Sequence, residues 1–304
     1  MGLVRWTRDW PATTARRRDL WTAFICLVPA GAIFGAFTFY PMVYAAWLSL
    51  HRWDGLSVER PFIGLANYTN LLQEPEFWSS VQITVTYTAG VTVLSLVGGL
   101  LLALALNTGL RGRTIYRTVF FTPVLTAMVA AAVVWHLLFD EASGLINVSL
   151  RGFGIQGPGW LTDPHWALPT LILVGAWKRI GFNLVIYLAG LQTIPMVYRE
   201  AAMIDGAGPL RVFRSITWPL LTPITVLLVI MSIIEAFQAF DQVFIMTGGG
   251  PLGSTEVLPL YLYTQGFHLF HLGYAAAVGW VIFAVVFIAT IFQWRITGGG
   301  GWKR

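Results

Sequence analysis

The chain has 304 residues, of which 56% are hydrophobic and only 11% charged, with a formal net charge of +5. Soluble domains carry about 25% charged residues, so this composition excludes an ordinary globular enzyme and points to a chain that lives in lipid. The single cysteine, Cys26, lies inside an apolar run, which excludes an intrachain disulfide and a metal cluster built from thiols. The basic excess sits in short flanks of apolar runs, where membrane orientation accounts for it better than phosphate binding, so no nucleic-acid partner is expected.

Residues 1–19 form a basic arm with Arg5, Arg8, Arg16, Arg17 and Arg18. The apolar stretch that follows runs from Trp21 through Tyr40 to Leu48, longer than the core of a secretory signal. A retained first helix is therefore expected, kinked near Pro29 or Pro41. Further apolar runs follow at Thr84–Leu106, Val119–Phe139, Ala167–Leu191, Leu220–Met246 and Tyr274–Phe292. Each reaches or approaches the ~20 residues that a helix needs to cross the hydrocarbon core. The pattern predicts an all-α polytopic membrane protein, with six transmembrane helices over residues 20–295 and a flexible glycine-rich tail over 296–304.

Six crossings put both termini on one side, and the loops say which. The N-terminal arm, the loop with Arg111, Arg113 and Arg117, the loop with Arg199, Arg211 and Arg214, and the tail with Arg295, Lys303 and Arg304 hold fourteen basic residues. The opposite loops hold three, Arg52, Arg60 and Arg151. Cytoplasmic loops collect Lys and Arg, so both termini and the loop around Glu200 are expected in the cytoplasm.

The loop over about 192–219 is the one substantial polar interval between the fourth and fifth runs. Thr193 is placed to cap a short helix, Pro195 suits its first turn, and Gly206 supplies a left-handed stop. Val197, Ala201 and Ile204 share one face of that helix, bordered by Glu200. Small residues admit another backbone closely, and a carboxylate at the rim invites an arginine from a partner. An amphipathic connector between two spans would look the same on physics alone.

The order Glu200-Ala201-Ala202, Asp205-Gly206-Ala207, Phe213, Ile216 and Pro219 resembles the EAA loop of the permease subunits of binding-protein-dependent ABC importers. Phe62, Gly64, Leu65, Asn67 and Tyr68, the pair Phe240-Asp241 and the run Thr247-Gly248-Gly249-Gly250-Pro251 extend the likeness to sugar-type permeases over nearly the whole chain after residue 20. The resemblance implies a type I importer permease in the cell inner membrane. It would pair with a second homologous permease, rest on two ATPase subunits, and receive a carbohydrate or related polyol from an extracytoplasmic solute-binding protein. Glu200, Ala201, Ala202, Asp205, Gly206 and Ala207 would then couple to the ATPase. The chain has no Gly-x-x-x-x-Gly-Lys-Ser/Thr sequence of its own, so no cofactor is expected here, and ATP and Mg would belong to the partner ATPases.

Charges inside the membrane mark the expected solute path, because each costs at least ~2.5 kcal/mol on insertion scales and is tolerated mainly beside a partner or water. Lys178 and Arg179 fall midway along the fourth run, Glu235 and Asp241 in the fifth. Counted from the outer ends, Lys178 and Glu235 lie at the same depth, ~16 Å, and are expected to meet. Arg179, Asn183 and Tyr187 repeat at i, i+4, i+8, and Glu235, Gln238 and Gln242 at i, i+3, i+7, which predicts a wet face on each helix. Trp177, Tyr187 and Phe240 are available to stack on a sugar ring. A purely structural ion pair is the competing reading of these charges. The competing function is an ion-gradient-driven carrier using Glu235 or Asp241, against which six spans without evident inverted halves argue.

Overall fold

The computed structural model describes residues 13–108 and 112–296. Arg5, Arg8, Arg111, Lys303, Arg304 and the glycine tail lie outside the described residues. Among those described, the regular structure is helical apart from one isolated bridge between His51 and Phe62.

The first helix begins within the basic arm, and its apolar span runs from Asp19 to Leu48. Helix α1 (Thr13–Phe34) meets no glycine or further proline until Pro29, and it runs through a π-turn (Gly35–Phe39) into α2 (Tyr40–Leu48). The π-turn explains how Pro41 is absorbed. A proline ring clashes with the carbonyl four residues back, here that of Phe37, and the widened turn lets Tyr40 N–H bond Gly35 O instead. The same device recurs before Pro219, where Trp218 N–H bonds Phe213 O across a second π-turn (Phe213–Thr217).

Helix α3 (Ala66–Gln73) precedes the second crossing, α4 (Pro75–Leu106). The third apolar run is not one helix: α5 (Arg113–Leu125) and α6 (Met128–Leu138) meet at a 100° bend. Thr126 and Ala127 are extended there, and the Thr126 hydroxyl donates to Pro123 O at 2.7 Å. After α7 (Leu145–Gly152), the fourth crossing α8 (Pro164–Thr193) is capped by Asp163, whose carboxylate accepts from His165 N–H at 2.8 Å. Then come α9 (Met196–Ile204) and α10 (Pro209–Val212), which runs through the second π-turn into α11 (Trp218–Phe237).

The fifth run breaks as well. Helix α11 stops at Phe237 and α12 (Asp241–Met246) starts afresh, with Gln238 N–H and Ala239 N–H folding back to Glu235 O and Ala236 O. No glycine or proline lies at this break. Helix α13 (Leu258–Tyr263) and α14 (Leu272–Ile296) complete the chain. Five stretches are thus long and apolar enough to cross a membrane, and six if the bent pair α5–α6 is counted as one span.

Helix α8 is the axis of the bundle: 56% of its apolar window is buried, against none for the first crossing. Small residues bring its neighbours close. A Cβ on Gly99 of α4 would lie 2.6 Å from the Asn183 side chain and 3.0 Å from Leu184 N, and one on Gly181 would strike the Phe120 carbonyl of α5. Toward the α9 end, Leu184, Tyr187, Leu188 and Leu191 pack with Ala103, Leu221 and Leu228. At the other end, Tyr87, Leu171, Val174, Val243 and Met246 form a second cluster. On the loop side, the buried Asn67 amide donates to Ser49 O and His51 O and fixes where α2 ends. Asn147 is buried too and accepts from Trp160 Nε1 at 2.8 Å, so Asn67 and Asn147 each hold a loop together.

Candidate functional site

Where α8 passes the break between α11 and α12, a cavity of about 220 Å3 opens. Its polar wall carries Lys178, Arg179, Glu235, Gln238, Asp241 and Gln242. Seven of the ten residues expected on a solute path, these six and Phe240, therefore share one space. The break creates it: ending α11 at Phe237 turns Gln238 outward and lets Asp241 begin a helix instead of lying in the middle of one.

The charges pair differently from the expectation. Glu235 Oε2 forms its ion pair with Arg179 Nη1, not with Lys178. Depth along two helices fixes height but not rotation, and at this height α8 turns Arg179 toward α11. Lys178 points the other way, donating to Thr126 O at 2.6 Å and Pro123 O at 3.2 Å at the bend between α5 and α6. Arg179 is 9% exposed and its guanidinium lies 4.6 Å over the Phe182 ring.

The expected wet face of α8 is correspondingly short. Asn183 and Tyr187 share a face with Arg179, yet both are buried in helix packing: Asn183 Nδ2 donates to Ser95 Oγ of α4 at 3.1 Å, and Tyr187 lies among leucines. Trp177 stands edge-on to Trp135 at 5.2 Å and does not line the cavity. The face of Glu235, Gln238 and Gln242 is interrupted by the helix break, although all three still reach the cavity.

Tyr87, Met128 and Ser232 were not singled out from the sequence but line the same space. Gln242 donates its amide to the Tyr87 hydroxyl, joining α12 to α4. One signal was available for Tyr87: Ser80, Thr84, Thr88, Thr92 and Ser95 recur every three or four residues along an apolar helix with Tyr87 beside Thr88, and all are buried.

The interval around Glu200 forms a protruding elbow. Helix α9 has no buried residue, and Val197 and Ile204 are exposed on it. Gly206 takes the left-handed conformation at φ +76°, with Ala207 N–H bonding Ala202 O and Gly206 N–H bonding Met203 O, so the helix stops where expected. Thr193 does not cap it. That residue ends α8, its hydroxyl turned back to Gly190 O at 2.8 Å, and Pro195 takes the position before α9.

On the opposite face a wider cleft of about 720 Å3 is walled by Arg52, Glu74, Glu76, Tyr261, His271 and Tyr274, none of them expected on the path. Asp54, at its edge, accepts the Ser57 and Leu56 amides and the Ser57 hydroxyl, which holds its carboxyl down at about 2. In the adjoining loop, burial pushes the Glu256 carboxyl above the usual range, helped by the charge of Glu76. The Thr247–Pro251 run is a tight turn closed by Thr255, whose hydroxyl donates to Gly250 O at 2.7 Å and meets Thr247 Oγ1 at 2.8 Å.

A polytopic helical bundle with a small, charge-lined cavity at a broken helix and a protruding elbow on one face is the form of a membrane permease. Residues 71–297 match the family described as binding-protein-dependent transport system inner membrane component, and the chain belongs to that family of multi-pass membrane proteins. It is 33% identical over 279 residues to the trehalose/maltose transport system permease protein MalF of Thermococcus litoralis, covering 92% of this chain and 94% of that one. It is 35% identical over 275 residues to the sn-glycerol-3-phosphate transport system permease protein UgpA of Brucella abortus, covering 90% and 93%. Among solved structures, one chain of a bacterial ABC transporter involved in import of the acidic polysaccharide alginate superposes with a TM-score of 0.79 at 25% identity, over 93% of this chain and 98% of that one. The resemblance drawn from the EAA-like loop therefore holds across the membrane domain.

Proposed function

We propose that this chain is one half of the conduit of an ATP-driven importer, which moves a carbohydrate or related polyol handed over by an extracytoplasmic solute-binding protein. The observation that carries this is the elbow. Helix α9 leaves apolar side chains and Glu200 unburied, and it joins α8 to the stretch ending in α11, the two helices that supply Lys178, Arg179 and Glu235 to the cavity. A partner gripping α9 moves both cavity walls together.

In this reading the domains fall as the sequence divides them, with the arm, tail and elbow in the cytoplasm. Glu200, Ala201, Ala202, Asp205, Gly206 and Ala207 seat in a groove of one of two ATPases, which bind ATP and Mg. The cavity also favours pairing with a second permease, since 220 Å3 falls below the ~300–1,000 Å3 of complete small-molecule sites. One chain supplies a wall, and its homologue supplies the other. Closure of the ATPases then shifts the pair between inward-open and outward-open arrangements. The names of the relatives, for trehalose/maltose and sn-glycerol-3-phosphate, support a sugar or polyol solute. Engagement of Glu235 by Arg179 takes one of the two carboxylates, Glu235 and Asp241, on which the ion-driven carrier would run.

The test is Glu200→Arg in the complete transporter. Membrane insertion should persist while ATP-driven uptake falls to background and the ATPase dissociates more readily. Normal uptake with normal ATPase association would refute the coupling role.

A further inference from the structure

Hydrogen-bond accounting at the cavity leaves donors without acceptors. Arg179 spends Nη1 on Glu235, while Nε and Nη2 have no partner although the residue is nine-tenths buried. These two nitrogens are neighbours on one edge of the planar guanidinium, and their parallel N–H groups match the two oxygens of a carboxylate or phosphate. A buried polar group left unpaired costs free energy and calls for an explanation.

Two neighbouring groups add to the surplus. Ser232, one turn before Glu235 on α11, lines the same cavity with a buried, unpartnered hydroxyl. Lys178 bonds only main-chain carbonyls, and among the described residues no carboxylate lies within ion-pair range of it. The one acid on Arg179 is Glu235, whose side chain is 59% exposed and so has room to swing into the cavity once another acid takes over the charge.

Resting on the permease reading above, we infer that the transported solute carries an acid group, a carboxylate or phosphate on a sugar or polyol, and that Arg179 is its receptor in the membrane. Glu235 is the resident stand-in. It neutralises Arg179 through Nη1 while the path is empty, and its like charge is repelled when the solute's own acid docks on the free Nε–Nη2 edge, with Ser232 donating to a further oxygen. A neutral sugar has nothing to exchange for Glu235 and binds weakly at this wall.

The test uses the full chain, co-purified with its partner subunits in lipid nanodiscs, and three probes: glucuronate, inorganic phosphate and glucose. Ligand-dependent thermal shift and titration calorimetry are read without ATP, so the outcome does not depend on coupling through Glu200. Glucuronate and phosphate should bind at least tenfold more tightly than glucose. Arg179→Lys should abolish that preference, and Glu235→Gln should tighten glucuronate about tenfold while leaving glucose unchanged. Equal affinity for glucuronate and glucose, or glucuronate binding that survives Arg179→Lys, overturns the inference. If Arg179→Lys fails to fold, Glu235→Gln decides alone: unchanged or weaker glucuronate binding is fatal. Binding of glucose only would remove the acid receptor but keep the permease, whereas loss of uptake coupling is judged separately by Glu200→Arg.

Discussion

Lys178 and Arg179 are adjacent in sequence yet serve different partners, because consecutive side chains on a helix diverge by about 100°. Lys178 takes two carbonyls at the α5–α6 bend, and Arg179 takes Glu235. The pair Arg179–Glu235 is therefore expected to be coupled, and the pair Lys178–Glu235 additive. In a double-mutant cycle read by thermal unfolding, Arg179→Gln and Glu235→Gln should show an interaction of ~0.5–3 kcal/mol, the range for residues in direct contact. Lys178→Met combined with Glu235→Gln should sum within ~0.5 kcal/mol. A coupled Lys178 would reinstate the pairing that depth alone predicts. Residue types were legible here and their partners were not, since a difference of one position in helix rotation exchanges one cation for the other.

At the scale of elements, helix contact rests on glycines that face backbone. A methyl on Gly99 or Gly181 would press on main-chain atoms of Asn183, Leu184 or Phe120, which cannot rotate aside as a side-chain tip can. Gly99→Ala and Gly181→Ala should each cost ~1–3 kcal/mol, the usual penalty of overpacking. Gly31→Ala, where nothing lies within 4 Å, should be close to neutral or slightly stabilising. Equal melting temperatures for all three variants would mean that α4, α5 and α8 do not meet as closely as they do here. The two helix breaks differ in legibility. Pro123 and Thr126 mark the α5–α6 bend in the sequence, whereas the stop at Phe237 has no local marker, since neither glycine nor proline lies there.

For the whole molecule, the proposal of half a conduit makes a direct claim about the isolated chain. It has a small open cavity, an unpartnered elbow, and no phosphate-binding glycine loop with its lysine. Reconstituted alone in vesicles, it should accumulate no solute against a gradient, with or without ATP or an ion gradient. Adding the second permease, the ATPases and the binding protein should restore uptake. Uphill transport by the lone chain would return the ion-driven carrier to first place.

The amino-acid sequence by itself determined the helical membrane class, the six apolar runs and the left-handed stop at Gly206. Each depends on hydrophobic length or backbone freedom within a few consecutive residues. It also placed the membrane charges near one another, because buried charge is costly wherever it lies. Only the tertiary structure decided that Glu235 faces Arg179, that Asn183 and Tyr187 belong to helix packing, and that Tyr87 and Ser232 join the cavity. Those outcomes are set by the rotation and close approach of whole helices, and spacing along a single chain does not encode how two helices turn toward each other.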